Sequence, residues 1–157
     1  MNAKRLYDKS IRGHEGFRAK PYKDGNGFWT IGIGEKIHTN TMSFHEAEAL
    51  MRNGITESAA IERCKQKIMV SEIGARRILG PEVYDQLSDV RQEVLVEMVF
   101  QMGATGFARF RETMSFIRNG NHQAAAVEML DSKWHREDSP GRAETLSERY
   151  KANSYDS

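Results

Sequence analysis

Between residues 15 and 34 the chain reads EGFRAKPYKDGNGFWTIGIG, and three side chains of that run could share one reaction: Glu15, Asp24 and Thr30. Cleavage of a glycosidic bond needs one protonated carboxyl to give its proton to the leaving oxygen. It also needs a second, ionised carboxylate across the sugar to direct a water or attack the carbon. This stretch can supply both carboxyls, with a hydroxyl near them. Each residue also has an ordinary structural use. Glu15 suits a helix end paired with a basic neighbour, Asp24 before Gly25 suits a turn, and Thr30 suits a strand.

Positioning these groups requires a hairpin preceded by a helix. Ala3, Tyr7 and Ile11 recur at helical spacing and predict an opening helix over 3–13, stopped by Gly13 or Gly16. Gly25-Asn26-Gly27 tolerates positive φ and predicts a turn, followed by a strand over Phe28-Trp29-Thr30-Ile31. The polar Thr39-Asn40-Thr41 closes this region.

Beyond it the period becomes helical. Ser43 with Glu46 is a capping-box pattern, so a helix begins at Phe44, with Ala47, Leu50 and Met51 on its apolar side. Ile61, Cys64 and Ile68 continue the spacing, with Gly54 between the two sets as a kink or an interruption. A short helix is expected over Val70 to Leu79, ended by Gly80-Pro81. Asp89 with Gln92 predicts the start of an apolar helix whose Val90, Val94, Leu95, Val96, Met98, Val99, Phe100 and Met102 cover nearly every face, which places it at the centre of a lobe. Amphipathic helices are expected over 107–110, 112–119, 122–134 and 142–151.

Several function classes find no support. The net charge of +1 gives neither a nucleic-acid nor a membrane partner any support, and the lack of a single-sign basic stripe on the helices argues against a nucleic-acid module. No apolar run approaches the roughly 20 residues of a membrane span, and residues 1–13 show no export signal, so synthesis in the cytoplasm without membrane insertion is expected. Cys64 is the one cysteine, read as a free buried thiol. The five histidines lack metal-site spacing, and Gly32 to Gly34 lacks both nucleotide-loop fingerprints, so neither a metal nor a cofactor is expected.

The blocks YKDGNGFWTIGIG, VFQMG with Thr105-Gly106, and Ser132-Lys133-Trp134 with Pro140-Gly141-Arg142-Ala143 together resemble the phage-type lysozymes, glycoside hydrolase family 24. The resemblance implies an α+β, lysozyme-like fold: a small β-hairpin lobe over 14–42, a larger helical lobe over 80–157 plus 1–13, a helical linker over 43–79, and a cleft between the lobes. It makes Glu15 the general acid, Asp24 the carboxylate that orients water, and Thr30 the hydroxyl that holds it. Phe100, Gln101, Met102, Lys36, Thr113 and Glu128 fall on sugar contacts, and Arg142 on an arginine that braces the acid. Trp134 is read as core before cleft.

The implied activity is a bacteriolytic muramidase acting with inversion on the β-1,4 bond between N-acetylmuramic acid and N-acetylglucosamine of peptidoglycan. The implied source is a phage or prophage, the enzyme a monomer, and its route to the wall a holin. A lytic transglycosylase and a noncatalytic peptidoglycan-binding protein are the alternatives. The chain departs from the family at Glu35, where a histidine is usual, and at Gly54, where that histidine's acidic partner falls. Glu35 is therefore expected to be exposed or bonded to Lys36 or Arg52. Further departures are His14 in place of an acid and extra residues between Gly54 and Gly80.

Overall fold

A computed structural model describes residues 1–38 and 42–156. The polar close at 39–41 lies outside the described residues. The fold is α+β: among the described residues one three-stranded antiparallel sheet, its strands paired in chain order, accompanies a larger set of helices. The chain divides into two compact units, Tyr7–Lys67 and Met1–Leu6 with Ile68–Ser157.

The opening helix passes from α1 (Ala3–Leu6) through a wide π-type turn (Tyr7–Ile11) into α2 (Arg12–Glu15). It stops at Gly16, the second of the two candidate glycines, whose φ of 68° leaves the helical region while its N–H still bonds Arg12. That stop makes Glu15 the last helical residue. Strands β1 (Arg18–Lys23) and β2 (Trp29–Gly32) follow, with Tyr22 opposite Thr30 and Lys23 opposite Trp29. The register shifts between Arg18 and Tyr22, where Pro21 has no N–H for the ladder. Strand β3 (Glu35–Lys36) sets Lys36 opposite Thr30 and Glu35 opposite Ile31. Under this sheet Ile31, Ile37, Ala47 and Leu50 form a core extended by Met42, Met51 and Ile55.

Helix α3 (Phe44–Asn53) begins as expected: the Ser43 hydroxyl accepts from the Glu46 N–H at 3.1 Å. The Glu46 carboxylate does not complete a capping box, because Arg63 takes it. Gly54, at φ 73°, ends α3 outright, and a side chain there would place its Cβ 2.5 Å from the Ala19 carbonyl oxygen. The helix expected over 70–79 is instead the end of one helix, α4 (Glu57–Leu79). Nothing between those residues breaks it; Gly74 only thins its surface, where an added Cβ would touch Val99 at 3.4 Å.

The helical unit continues with α5 (Pro81–Gln86), α6 (Asp89–Ala108), α7 (Arg111–Arg118), α8 (His122–Leu130), a π-type turn (Trp134–Asp138) and α9 (Pro140–Ala152). Helix α6 is capped by Ser88 and not by Asp89, since the Ser88 hydroxyl accepts from the Arg91 N–H at 3.3 Å. Asp89 instead takes the Met1 ammonium at 2.9 Å, and Gln92 donates to the Tyr84 carbonyl at 2.9 Å. Buried Val94, Leu95, Val96, Met98 and Phe100 make α6 the core of this unit, as its all-round apolar pattern predicts. Gly103, at φ 78°, kinks it, and of the expected 107–110 segment Phe107 and Ala108 close this helix while Arg109 caps it and Phe110 precedes the next.

Two glutamates one helical turn apart on α6, Glu93 and Glu97, are fully buried, and each has an arginine. Arg5 reaches Glu93 at 2.7 Å and Arg142 reaches Glu97 at 3.0 Å. Burying a carboxylate without such a partner would be costly.

Candidate active site

Glu15 leaves the end of α2 and packs its carboxyl against Gly34. A Cβ built at position 34 would lie 2.3 Å from Glu15 Oε2 and 2.9 Å from its Cδ. The second glycine of the I-G-I-G run therefore gives up its side-chain space to the carboxyl, and its φ of 65° is one that L-residues rarely adopt.

Asp24 does form the turn that its type suggests. Its Oδ1 accepts from the Asn26 and Phe28 N–H groups, each at 2.9 Å. Among the described residues its Oδ2 accepts no hydrogen bond and so stays available to a ligand or water. Thr30 is 3 % exposed and donates its hydroxyl proton to the Phe28 carbonyl at 3.0 Å. With that proton committed, the Thr30 oxygen presents lone pairs, and an incoming water must donate to it. Phe28 thus fixes both groups, Asp24 by its N–H and Thr30 by its C=O. Burial pushes the Tyr22 phenol up, Arg18 opposes the rise, and the Glu15 and Asp24 carboxylates add to it. Tyr22, opposite Thr30 in the ladder, therefore lies within the field of both acids.

Glu35 is neither free nor bonded to Lys36 or Arg52. Arg63, on α4, holds it through two bonds, Nε to Oε1 at 2.5 Å and Nη2 to Oε2 at 2.8 Å, while the third guanidinium nitrogen bonds Glu46. The geometry explains the preference: one guanidinium fork matches a carboxylate in a way a lysine ammonium cannot. Lys36 is exposed and stands over the Phe28 ring at 4.6 Å.

The remaining expected residues lie in the helical unit. Phe100 is buried. The Gln101 amide is engaged at both ends, accepting from Trp134 Nε1 at 2.9 Å and donating to the Ser139 hydroxyl at 2.7 Å, and Trp134 is itself buried. Among the described residues the Gln101 side chain makes these two bonds, which leaves one amide hydrogen and one lone pair for a ligand. Met102, Thr113 and Glu128 line a concavity of about 440 Å³ together with Phe110, Glu112 and Lys133. Arg142 donates to Glu97 from Nε at 3.0 Å.

Phe28, Tyr22, Arg63 and Glu97 were not singled out in the sequence as parts of a site. Phe28 acts largely through its backbone, and the Arg63–Glu35 pair spans 28 positions, so no local pattern announces either. Cys64 is buried, and burial pushes its thiol up to about 12, which makes it inert as a nucleophile. No helix among the described residues is long and apolar enough to cross a membrane.

The sequence matches the family described as phage lysozyme over residues 12–153, a span that contains every side chain of this site. The chain belongs to the phage lysozyme family. The chain is 28% identical over 136 residues to "Probable T4-type lysozyme 2" of Dictyostelium discoideum, covering 76% of this chain and 79% of that one. It is 27% identical over 146 residues to "Probable T4-type lysozyme 1" of the same organism, covering 82% and 84%. It is also 28% identical over 151 residues to "Pre-baseplate central spike protein Gp5" of Enterobacteria phage T4, covering 87% of this chain and 26% of that protein. Membership makes the protein a glycoside hydrolase of the muramidase type, with peptidoglycan as its substrate.

Proposed function

We propose that this protein hydrolyses the β-1,4 bond between N-acetylmuramic acid and N-acetylglucosamine with inversion at the anomeric carbon. The observation that carries the reading is the tie of Asp24 and Thr30 to one residue, Phe28, which leaves Asp24 Oδ2 and the Thr30 lone pairs as acceptors for the two protons of a single water. Glu15 protonates the glycosidic oxygen. Asp24 takes a proton from the water as it attacks the opposite face, and Thr30 holds the second proton. Arg142 is the brace for the acid, and Phe100, Gln101, Met102, Lys36, Thr113 and Glu128 contact the glycan. No cofactor enters the reaction.

A transglycosylase would need only the acid, and the paired acceptors at Asp24 and Thr30 would then have no task. In the same proposal the enzyme is a monomeric phage or prophage endolysin, made in the host cytoplasm and released to the wall by a holin. Glu15→Gln and Asp24→Asn, purified and shown to be folded, should each lose about 10²–10⁴-fold in peptidoglycan cleavage, the usual worth of a positioned acid or base. Near-parental turnover in either folded variant would remove that residue from the mechanism.

A further inference from the structure

Lys36 and Phe28 form a pair on the side of the hairpin that carries Thr30. Lys36 is the ladder partner of Thr30, and residues directly opposite each other point to the same face of a sheet. The Lys36 ammonium stands 4.6 Å from the centroid of the Phe28 ring, which is 54% exposed. The ring restrains the ammonium on one side and leaves its remaining N–H donors directed outward. Among the described residues no carboxylate lies within ion-pair distance of Lys36, although this chain pairs Arg5, Arg63, Arg76, Arg136 and Arg142 with acids. A similar pair, Lys23 over Trp29 at 5.4 Å, falls on the other face, since Trp29 and Thr30 are consecutive strand residues.

We propose that Lys36, held over Phe28, is a specificity-determining residue that binds a carboxylate carried by a substituent of the glycan. The proposal rests on the muramidase reading and names the substrate feature that this corner of the site selects. Its physical basis is charge balance. Asp24 keeps an anionic oxygen beside the water site, so a second anion arriving with the substrate meets repulsion unless a cation stands there to receive it. An ammonium on a restrained stem makes that corner favourable for an acidic glycan and gives a neutral one nothing to bind. Two sources carry the same chemistry: the ether-linked acid of the muramoyl sugar itself, and the carboxylates of an attached stem peptide.

The test is binding, measured in a Glu15→Gln background so that it does not depend on turnover. Three forms of insoluble peptidoglycan serve as probes: peptide-bearing, peptide-stripped, and peptide-bearing with its carboxyls converted to amides. Adding Lys36→Gln should weaken binding about tenfold to one or both of the acidic forms, as loss of a charge-assisted hydrogen bond implies. The ratio should fall to less than about twofold on the amidated form. Lys36→Arg should restore most of the affinity, and Phe28→Leu should weaken it in the same direction. An effect confined to the peptide-bearing form identifies the peptide carboxylates, and one confined to the stripped form identifies the sugar's own acid. Equal weakening on all three forms, or none on any, overturns the proposal. Parental enzyme that binds without cleaving would refute the hydrolytic reading alone, and the binding ratios would still decide the role of Lys36.

Discussion

Arg63 holds Glu35 through two hydrogen bonds, 2.5 Å and 2.8 Å long, and thereby fixes the residue that follows Gly34, against which the Glu15 carboxyl rests. Both partners are about a quarter exposed, at 27% and 29%. The site where this family usually keeps a histidine paired with an acid is thus occupied by a carboxylate paired with a guanidinium.

Removal of the cation should cost more than removal of one anion. Arg63→Met leaves the Glu35 and Glu46 carboxylates without their shared partner and is expected to destabilise the fold by about 1–2 kcal/mol, discounted for partial exposure. Glu35→Gln should cost less than about 1 kcal/mol and retain peptidoglycan cleavage, because Glu35 serves the scaffold. Urea unfolding combined with turnover measurements checks both. A folded Glu35→Gln enzyme without activity would make Glu35 a member of the catalytic machinery.

Gly34→Ala should injure activity beyond its effect on the fold. The φ of 65° carries a strain of about 1–3 kcal/mol for an L-residue, and the new methyl would occupy the space of Glu15 Oε2. Displacing a catalytic group by about 1 Å costs on the order of 10²-fold in rate. Turnover within a few fold of parental would show that Glu15 need not sit where it does.

His122 links stability to pH. Burial lowers its pKa below the usual 6.5, with Arg91 adding to the effect, and its Nδ1 lies 2.9 Å from the Tyr150 hydroxyl. The unfolded chain therefore binds a proton more readily than the folded one. The contribution is fully present above the ordinary imidazole range and is lost as pH falls through it toward the depressed native pKa. Chemical denaturation from pH 8 down to pH 5 should show this loss, and His122→Gln should flatten it. An identical slope in the variant would assign the effect to other groups.

Cys64 should report global opening. With its thiol pushed up to about 12 by burial, a disulfide reagent at pH 8 should label it only as fast as the chain unfolds. Immediate labelling of the native protein would contradict the burial.

How much was legible in the sequence depended on how local the cause was. The Gly25-Asn26-Gly27 turn, the Ser43 cap and the all-round apolar α6 were readable because turn chemistry, capping and periodicity act over a few residues. The continuity of α4 is not legible because exposed Met69, Val70 and Ile73 blur the apolar stripe of Ile61, Cys64 and Ile68, so its last turns read as a separate helix. The start of α6 was placed on Asp89 because an acid three residues before Gln92 imitates a cap, whereas Ser88 holds that place and Met1 claims the acid. Partners distant in the chain were out of reach. Nothing near Glu35 points to Arg63, and nothing near Glu97 points to Arg142.

The account turns on water as the nucleophile, and the most direct measurement is mass spectrometry of muropeptides released from purified peptidoglycan in heavy-oxygen water. Hydrolysis oriented by Asp24 and Thr30 predicts reducing N-acetylmuramic ends that each carry one labelled oxygen. Anhydromuramic ends without label, or labelled reducing ends on N-acetylglucosamine in place of N-acetylmuramic acid, would contradict it.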